Sequence, residues 1–206
     1  MLLIAVATEF ETALLRERLA ERDGIACIVT GVGPVNAAHA VTLAVTQHRP
    51  TAVMVCGVGG AYPGSGLGVG DVVCAGTECY GDLGASSPAG FIDMHSLGFP
   101  VVRVEPPLYN DLPMQIVPLD RSVKFVTVST CTGTDEAARA IESRTGGAVE
   151  NMEGAAIAHV GRLMGVPVGE IRAISNVVTN RDTKTWRLRE AATAAQEALL
   201  AWIDSR

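Results

Sequence analysis

The feature that most constrains the fold is a recurring alternation of short, wholly apolar runs with amphipathic stretches of helical period. Runs at Leu2–Ala7, Ala26–Thr30, Ala52–Cys56, Val69–Ala75, Lys124–Val128, Ala148–Glu150 and Glu170–Ile174 read as strands. Several lack the polar alternation of a half-exposed strand, which predicts burial on both faces. Helical patterns fall between many of them, at Phe10–Leu19, Asn36–His48, Asp135–Arg144, Gly154–Met164 and Leu188–Ile203. This order predicts an α/β fold: a three-layer αβα sandwich with a central mixed, mostly parallel sheet.

Length and composition agree with that class. At 206 residues the chain suits one domain, and no repeat or linker divides it. An apolar fraction of 48% against 18% charged residues excludes a disordered polymer. The net charge of −6, without a basic cluster, argues against nucleic acid as a partner. No apolar run approaches membrane-spanning length, and MLLIAVA lacks a preceding basic region, so it reads as a first strand rather than a leader. The five cysteines form no C-x-x-C pair, which suits reduced thiols and a cytoplasmic location. His39, His48, His95 and His159 stand singly, without ligand spacing, so no metal and no other cofactor is expected. The proline- and glycine-rich stretch from Gly81 to Leu119 has weak periodicity and is expected as long surface excursions that cover a site or meet another subunit.

Five segments carry chemistry-bearing residues where strands end. Thr8-Glu9-Phe10-Glu11 follows the first strand, where open α/β sheets place ligand loops. Its Thr-x-x-Glu spacing is equally that of a capping box, in which Glu11 closes a helix start. Thr30–Ala38, TGVGPVNAA, is either a tight strand-to-helix connection or a loop whose N–H groups face an anion or a ribose. It is not a dinucleotide fingerprint, because position 36 is Asn rather than Gly. Cys56–Asp71 holds seven glycines in sixteen residues, more than one turn needs, and offers backbone at Gly57, Val58 and Gly59 for close approach to a ligand.

Glu150–Val160, ENMEGAAIAHV, puts Glu153 where a strand passes into an Ala-rich helix. A carboxylate there is favoured by the helix dipole, and it also suits the two vicinal hydroxyls of a sugar, with Met152 as an apolar contact. Arg172–Asn176, RAISN, ends a buried strand with a carboxamide, which either caps a turn or reads adjacent donor and acceptor atoms of a heterocycle.

Together and in this order, these segments resemble the nucleoside-phosphorylase and nucleosidase superfamily over nearly the whole chain. The most specific parts are TGVGPVNAA, the run Val149–Ala156 and RAISN. Within that superfamily, the glycine-rich loop, TVSTCTGTDEAA and Asn180-Arg181-Asp182 followed by Trp186 look most like the futalosine hydrolases. The resemblance implies an N-glycosyl hydrolase that releases hypoxanthine from futalosine in menaquinone synthesis, acting on a small nucleoside as a homodimer or larger homo-oligomer. It implies Glu11 and Asn176 as catalytic residues, the first activating water and the second meeting the base. Substrate binding falls to Gly57, Val58, Gly59, Met152 and Glu153. Relatives that act on methylthioadenosine and adenosylhomocysteine usually carry Asp where this chain has Asn176, which bears on the base. A methylthioadenosine/adenosylhomocysteine or aminodeoxyfutalosine nucleosidase, a purine nucleoside phosphorylase, and a nucleoside-binding protein without turnover are the competing readings.

Overall fold

The computed structural model describes residues 1–206. The chain runs β1 (Leu2–Val6), a 3-10 turn (Glu9–Glu11), α1 (Ala13–Leu19), β2 (Ile25–Val29), α2 (Pro34–His48), β3 (Ala52–Ala61) and β4 (Val72–Tyr80). A hairpin of β5 (Gly84–Ser87) and β6 (Gly90–Asp93) follows, then α3 (Met94–Leu97), β7 (Asp111–Pro113) and β8 (Ser122–Thr127). The remainder is α4 (Asp135–Thr145), β9 (Val149–Asn151), α5 (Gly154–Met164), β10 (Val168–Val177) and α6 (Leu188–Asp204).

Eight strands form one mixed sheet in the order β10-β4-β8-β9-β3-β1-β2, with β7 beside β4. The pairs β1–β2, β1–β3, β3–β10, β4–β8 and β8–β9 are parallel, whereas β4–β10, β3–β9 and β4–β7 are antiparallel. Because β3 pairs with β10 as well as with β9, the sheet closes on itself, and β1 and β2 extend from the closed part.

The apolar runs are buried on both faces by strict alternation. Leu3, Ala5, Val53 and Val55 pack towards α2 and α5, while Ile4, Val6, Met54 and Cys56 pack towards α1 and α6. A one-residue slip would exchange the two cores, so the register is firmly set. Each large aliphatic side chain buried this way contributes ~1.5–3 kcal/mol.

Helix ends follow local chemistry. Pro34 opens α2 after Gly33. Thr134 caps α4 by accepting from the Ala137 N–H, and Gly146 and Gly165, both at positive φ, close α4 and α5.

Several boundaries differ from the sequence expectation. The first helix is split: Glu11 turns inward, and α1 begins only at Ala13, where Gln196 Oε1 from α6 accepts the Leu14 and Leu15 N–H groups at 2.9 and 3.2 Å. The strand expected to stop at Cys56 runs on through Gly57, Gly59 and Gly60 to Ala61, and the next is Val72–Tyr80 rather than Val69–Ala75. The Gly81–Leu119 stretch holds a hairpin, a short helix and β7, the last contributing a strand to the main sheet.

Candidate active site

A cavity of about 260 Å³ opens where β1, β3 and β10 end and β9 passes into α5. Glu11, Val58, Gly59, Met152, Glu153 and Asn176 all line it, so segments separated by up to 165 positions converge on one place. A larger cavity of about 520 Å³ lies between the hairpin, β7 and the end of α4, and none of those six residues reaches it.

Glu11 is buried to 2% exposure. Its Oε2 accepts from the Thr8 N–H at 2.9 Å and the Thr8 hydroxyl at 2.7 Å, and its Oε1 accepts from the Val58 N–H at 3.0 Å. One oxygen thus closes the capping box and the other joins β3, while the side chain lines the cavity. Gly57 does not line the cavity. A Cβ there would stand 2.6 Å from Glu11 Oε1, so its glycine makes room for the carboxylate rather than for a ligand. Gly59 meets the same constraint from Val149, at 2.5 Å, and its neighbours explain why a glycine-rich run is strand rather than loop.

Glu153 sits at the N-cap of α5 and is 4% exposed. Its Oε1 accepts from the Gly33 N–H at 3.1 Å, and its Oε2 accepts from Arg172 Nη2 at 3.2 Å. The turn in TGVGPVNAA thus directs an N–H at a protein carboxylate. Gly31 and Gly33 hold φ of 82° and 96°, which disfavour any other residue there. Asn151 Oδ1 accepts from the Glu153 and Gly154 N–H groups at 2.9 and 2.8 Å, which fixes the helix start and the Glu153 backbone together.

Arg172 ties the cluster. Its Nη1 donates to the Val58 carbonyl at 2.7 Å and its Nε to Glu170 Oε1 at 2.6 Å, in addition to the bond to Glu153. Burial opposes its charge, but Glu170 and Glu153 outweigh that and hold the guanidinium above the ordinary arginine value. Sequence reasoning quoted Arg172 without giving it a task. Two charges, Glu170 and Arg172, within a short apolar run are the available signal, since buried charges demand partners.

The far end of the cavity has different chemistry. Asn176 Oδ1 accepts from the Ser175 hydroxyl at 2.7 Å, which leaves its NH₂ as the free edge, bonded only to the Val177 carbonyl at 3.2 Å. Val178, Cys131, Thr132, Leu188 and Trp186 complete this end. Trp186 is half-buried, and the Arg181 guanidinium lies 4.7 Å over its ring. Glu150 also lines the wall, accepting from the Tyr62 hydroxyl at 2.8 Å and the Thr132 N–H at 2.9 Å. Its position inside the ENMEG run gave no sign of this.

Comparison with known proteins places the chain. Residues 7–204 match the model of the Phosphorylase superfamily. A futalosine hydrolase of Thermus thermophilus is 32% identical over 91% of this chain and 84% of the relative. One of Streptomyces coelicolor is 37% identical, over 86% and 77% respectively. Among solved structures, a Streptococcus pneumoniae MTA/SAH nucleosidase in complex with 8-aminoadenine superposes with a TM-score of 0.83 at 21% identity, covering 100% of this chain and 99% of that one. A Colwellia psychrerythraea MTA/SAH nucleosidase in complex with adenine gives 0.81 at 21% identity, covering 98% and 94%. The chain belongs to the Phosphorylase superfamily and, within it, to the family of the futalosine hydrolases.

Proposed function

We infer that this protein is an N-glycosyl hydrolase that cleaves futalosine to hypoxanthine and dehypoxanthine futalosine, a step of menaquinone synthesis. The observation that carries the reading is one cavity in which the buried carboxylates Glu11 and Glu153 and the carboxamide Asn176 converge, in a chain 32–37% identical to futalosine hydrolases.

Breaking the glycosidic bond develops positive charge on the ribose and negative charge on the base, and the two ends of the cavity divide that task. Glu11 orients the attacking water and takes its proton, while its charge favours the cationic sugar. Glu153 receives the two ribose hydroxyls on the lone pairs that Gly33 and Arg172 leave free, and Met152 packs against the sugar. Asn176 donates from its NH₂ to N7 or O6 of the base. Hypoxanthine presents acceptors at both positions, and an ionised Asp there would repel O6. A wrong pairing leaves a buried polar group unsatisfied and costs about 1–3 kcal/mol, roughly ten- to hundredfold in preference.

Water rather than phosphate is the nucleophile in this reading. Arg172 is the one arginine lining the cavity, and its donors are committed to Glu170, Val58 and Glu153. No helix is long and apolar enough to cross a membrane, and we place the enzyme in the cytoplasm. It works as a homodimer or larger homo-oligomer. Exposed Phe99 and Val35, 63% and 81% accessible, are apolar surface that such an assembly would cover. Sedimentation is expected to show an oligomer at working concentration, and a monomer would remove that part of the reading. The activity itself is tested by base release from futalosine in phosphate-free buffer, where dependence on added phosphate would instead identify a phosphorylase.

A further inference from the structure

Behind the cavity wall lies a second pair of carboxylates that the reaction does not use directly. Glu78 on β4 and Glu170 on β10 are both fully buried, at 0% exposure. Glu78 is heavily bonded: Oε1 accepts from Asn151 Nδ2 at 2.5 Å, and Oε2 accepts from the Cys79 N–H at 3.1 Å and the Thr127 hydroxyl at 3.0 Å. Glu170 is not. Its Oε1 accepts from Arg172, but its Oε2 has no hydrogen-bond partner, which is costly for a buried carboxylate oxygen.

The two side chains meet at the start of α5. A Cβ on Gly154 would stand 2.1 Å from Glu78 Oε1 and 2.3 Å from Glu170 Oε2, so these two oxygens occupy the same small space, and glycine there is what admits them. Two ionised carboxylates in contact and away from water would repel strongly, and Arg172 is the sole cation facing them while also serving Glu153.

We propose that Glu78 and Glu170 share one proton and act as a positioning pair for Arg172 and, through it, for Glu153. The proton sits on Glu78 Oε1 and is donated to Glu170 Oε2, which supplies the missing partner while Glu78 still accepts from Asn151. Glu170 then keeps the negative charge that anchors Arg172 Nε, and the guanidinium is held flat between the Val58 carbonyl and Glu153. Asn151 links the same pair to the Glu153 backbone, so the pair fixes both the side chain and the main chain of the ribose-binding carboxylate. Burial and the neighbouring Glu170 push the Glu78 carboxyl well above the ordinary range, in the direction this arrangement requires.

The role of the pair in catalysis rests on the nucleosidase reading, whereas the shared proton does not, and the experiment separates the two. Infrared spectroscopy of the wild-type protein at neutral pH is expected to show a buried protonated carboxyl, and Glu170→Gln is expected to remove that band. In that variant the amide oxygen at position 170 still accepts from Arg172 while its NH₂ donates to an ionised Glu78, so one negative charge stays near the guanidinium but no longer on the group that holds Nε, and KM for futalosine rises by about threefold. The double variant Glu78→Gln with Glu170→Gln removes the pair's remaining negative charge as well and raises KM by about tenfold or more, with a smaller change in kcat. A merely structural role would lower the folded fraction and leave the KM of the folded enzyme unmoved. Absence of the band in wild type, or a folded double variant with wild-type KM, overturns the proposal. If wild type shows the band but releases no base from futalosine, the shared proton stands and the functional reading fails.

Discussion

The two ends of the cavity are built on different principles. At the ribose end, Glu11 and Glu153 are almost fully buried, and each oxygen is tied to backbone N–H groups or to Arg172. At the base end, Asn176, Trp186 and Leu188 are partly exposed side chains near the end of β10 and in the segment that follows, with Ser175 as the immediate polar support of the carboxamide. The first end is held by the fold itself and, in the proposed reaction, serves cleavage of the glycosidic bond. The second is carried by a few partly exposed side chains, which in the proposed reaction meet the base. Variants should therefore divide by end: losses of rate at the first, changes of preference at the second.

The sharpest break is expected from Glu11→Gln, which keeps the shape and removes the base. The turnover number should fall by about 10²–10⁴-fold with little change in KM, as measured by steady-state hypoxanthine release. A KM effect alone would move Glu11 out of the catalytic step. Next comes Arg172→Met, which leaves Glu170 and Glu153 buried without their cation. Denaturant titration should show a loss of about 3–5 kcal/mol, and a loss below 1 kcal/mol would mean that the cluster is not tied as described. Gly57→Ala introduces a Cβ into the space of Glu11 Oε1 without touching the ligand, and should cost up to about 10²-fold in kcat while sparing the preference between bases.

At the base end, Asn176→Asp should shift the ratio of kcat/KM for futalosine over its adenine counterpart, aminodeoxyfutalosine, by roughly ten- to hundredfold towards the latter. An unchanged ratio would show that some other group reads the base. The smallest effect concerns the buried pair behind the ribose end. The neutral form of Glu78 is favoured in the folded chain, so its contribution to stability is complete below the ordinary carboxyl value and is lost as pH rises through the raised one. The stability advantage of wild type over Glu78→Gln should therefore shrink as pH rises above the ordinary carboxyl range, as read from urea midpoints.

How much of this was legible in the sequence follows the same division. The strands announced themselves because Leu3, Ile4, Val53 and Met54 are apolar on both faces, and caps such as Thr134 and Gly146 are local. The convergence of Glu11, Glu153 and Asn176 was legible through motif order. What could not be read was long-range compensation. Gly57 looked like a ligand loop because the carboxylate that fills its space is 46 positions away in sequence. Glu170 opens an expected strand and Glu78 lies beyond the expected strand Val69–Ala75, and only the closed sheet brings them together over Gly154. Trp186 reaches the cavity only through the path of the segment between β10 and α6, which has no periodic signal. The stretch from Gly81 to Leu119 hid β7 because three residues carry no periodic signal and pair only through β4.

The central claim is most directly tested by incubating the purified protein with futalosine and, separately, with aminodeoxyfutalosine, methylthioadenosine, adenosylhomocysteine and inosine in phosphate-free buffer. Free base is followed by chromatography, with Glu11→Gln as control. Hypoxanthine released from futalosine in preference to adenine from the others, and lost in the control, is the predicted result; adenine release with futalosine untouched, or release that requires phosphate, would contradict it.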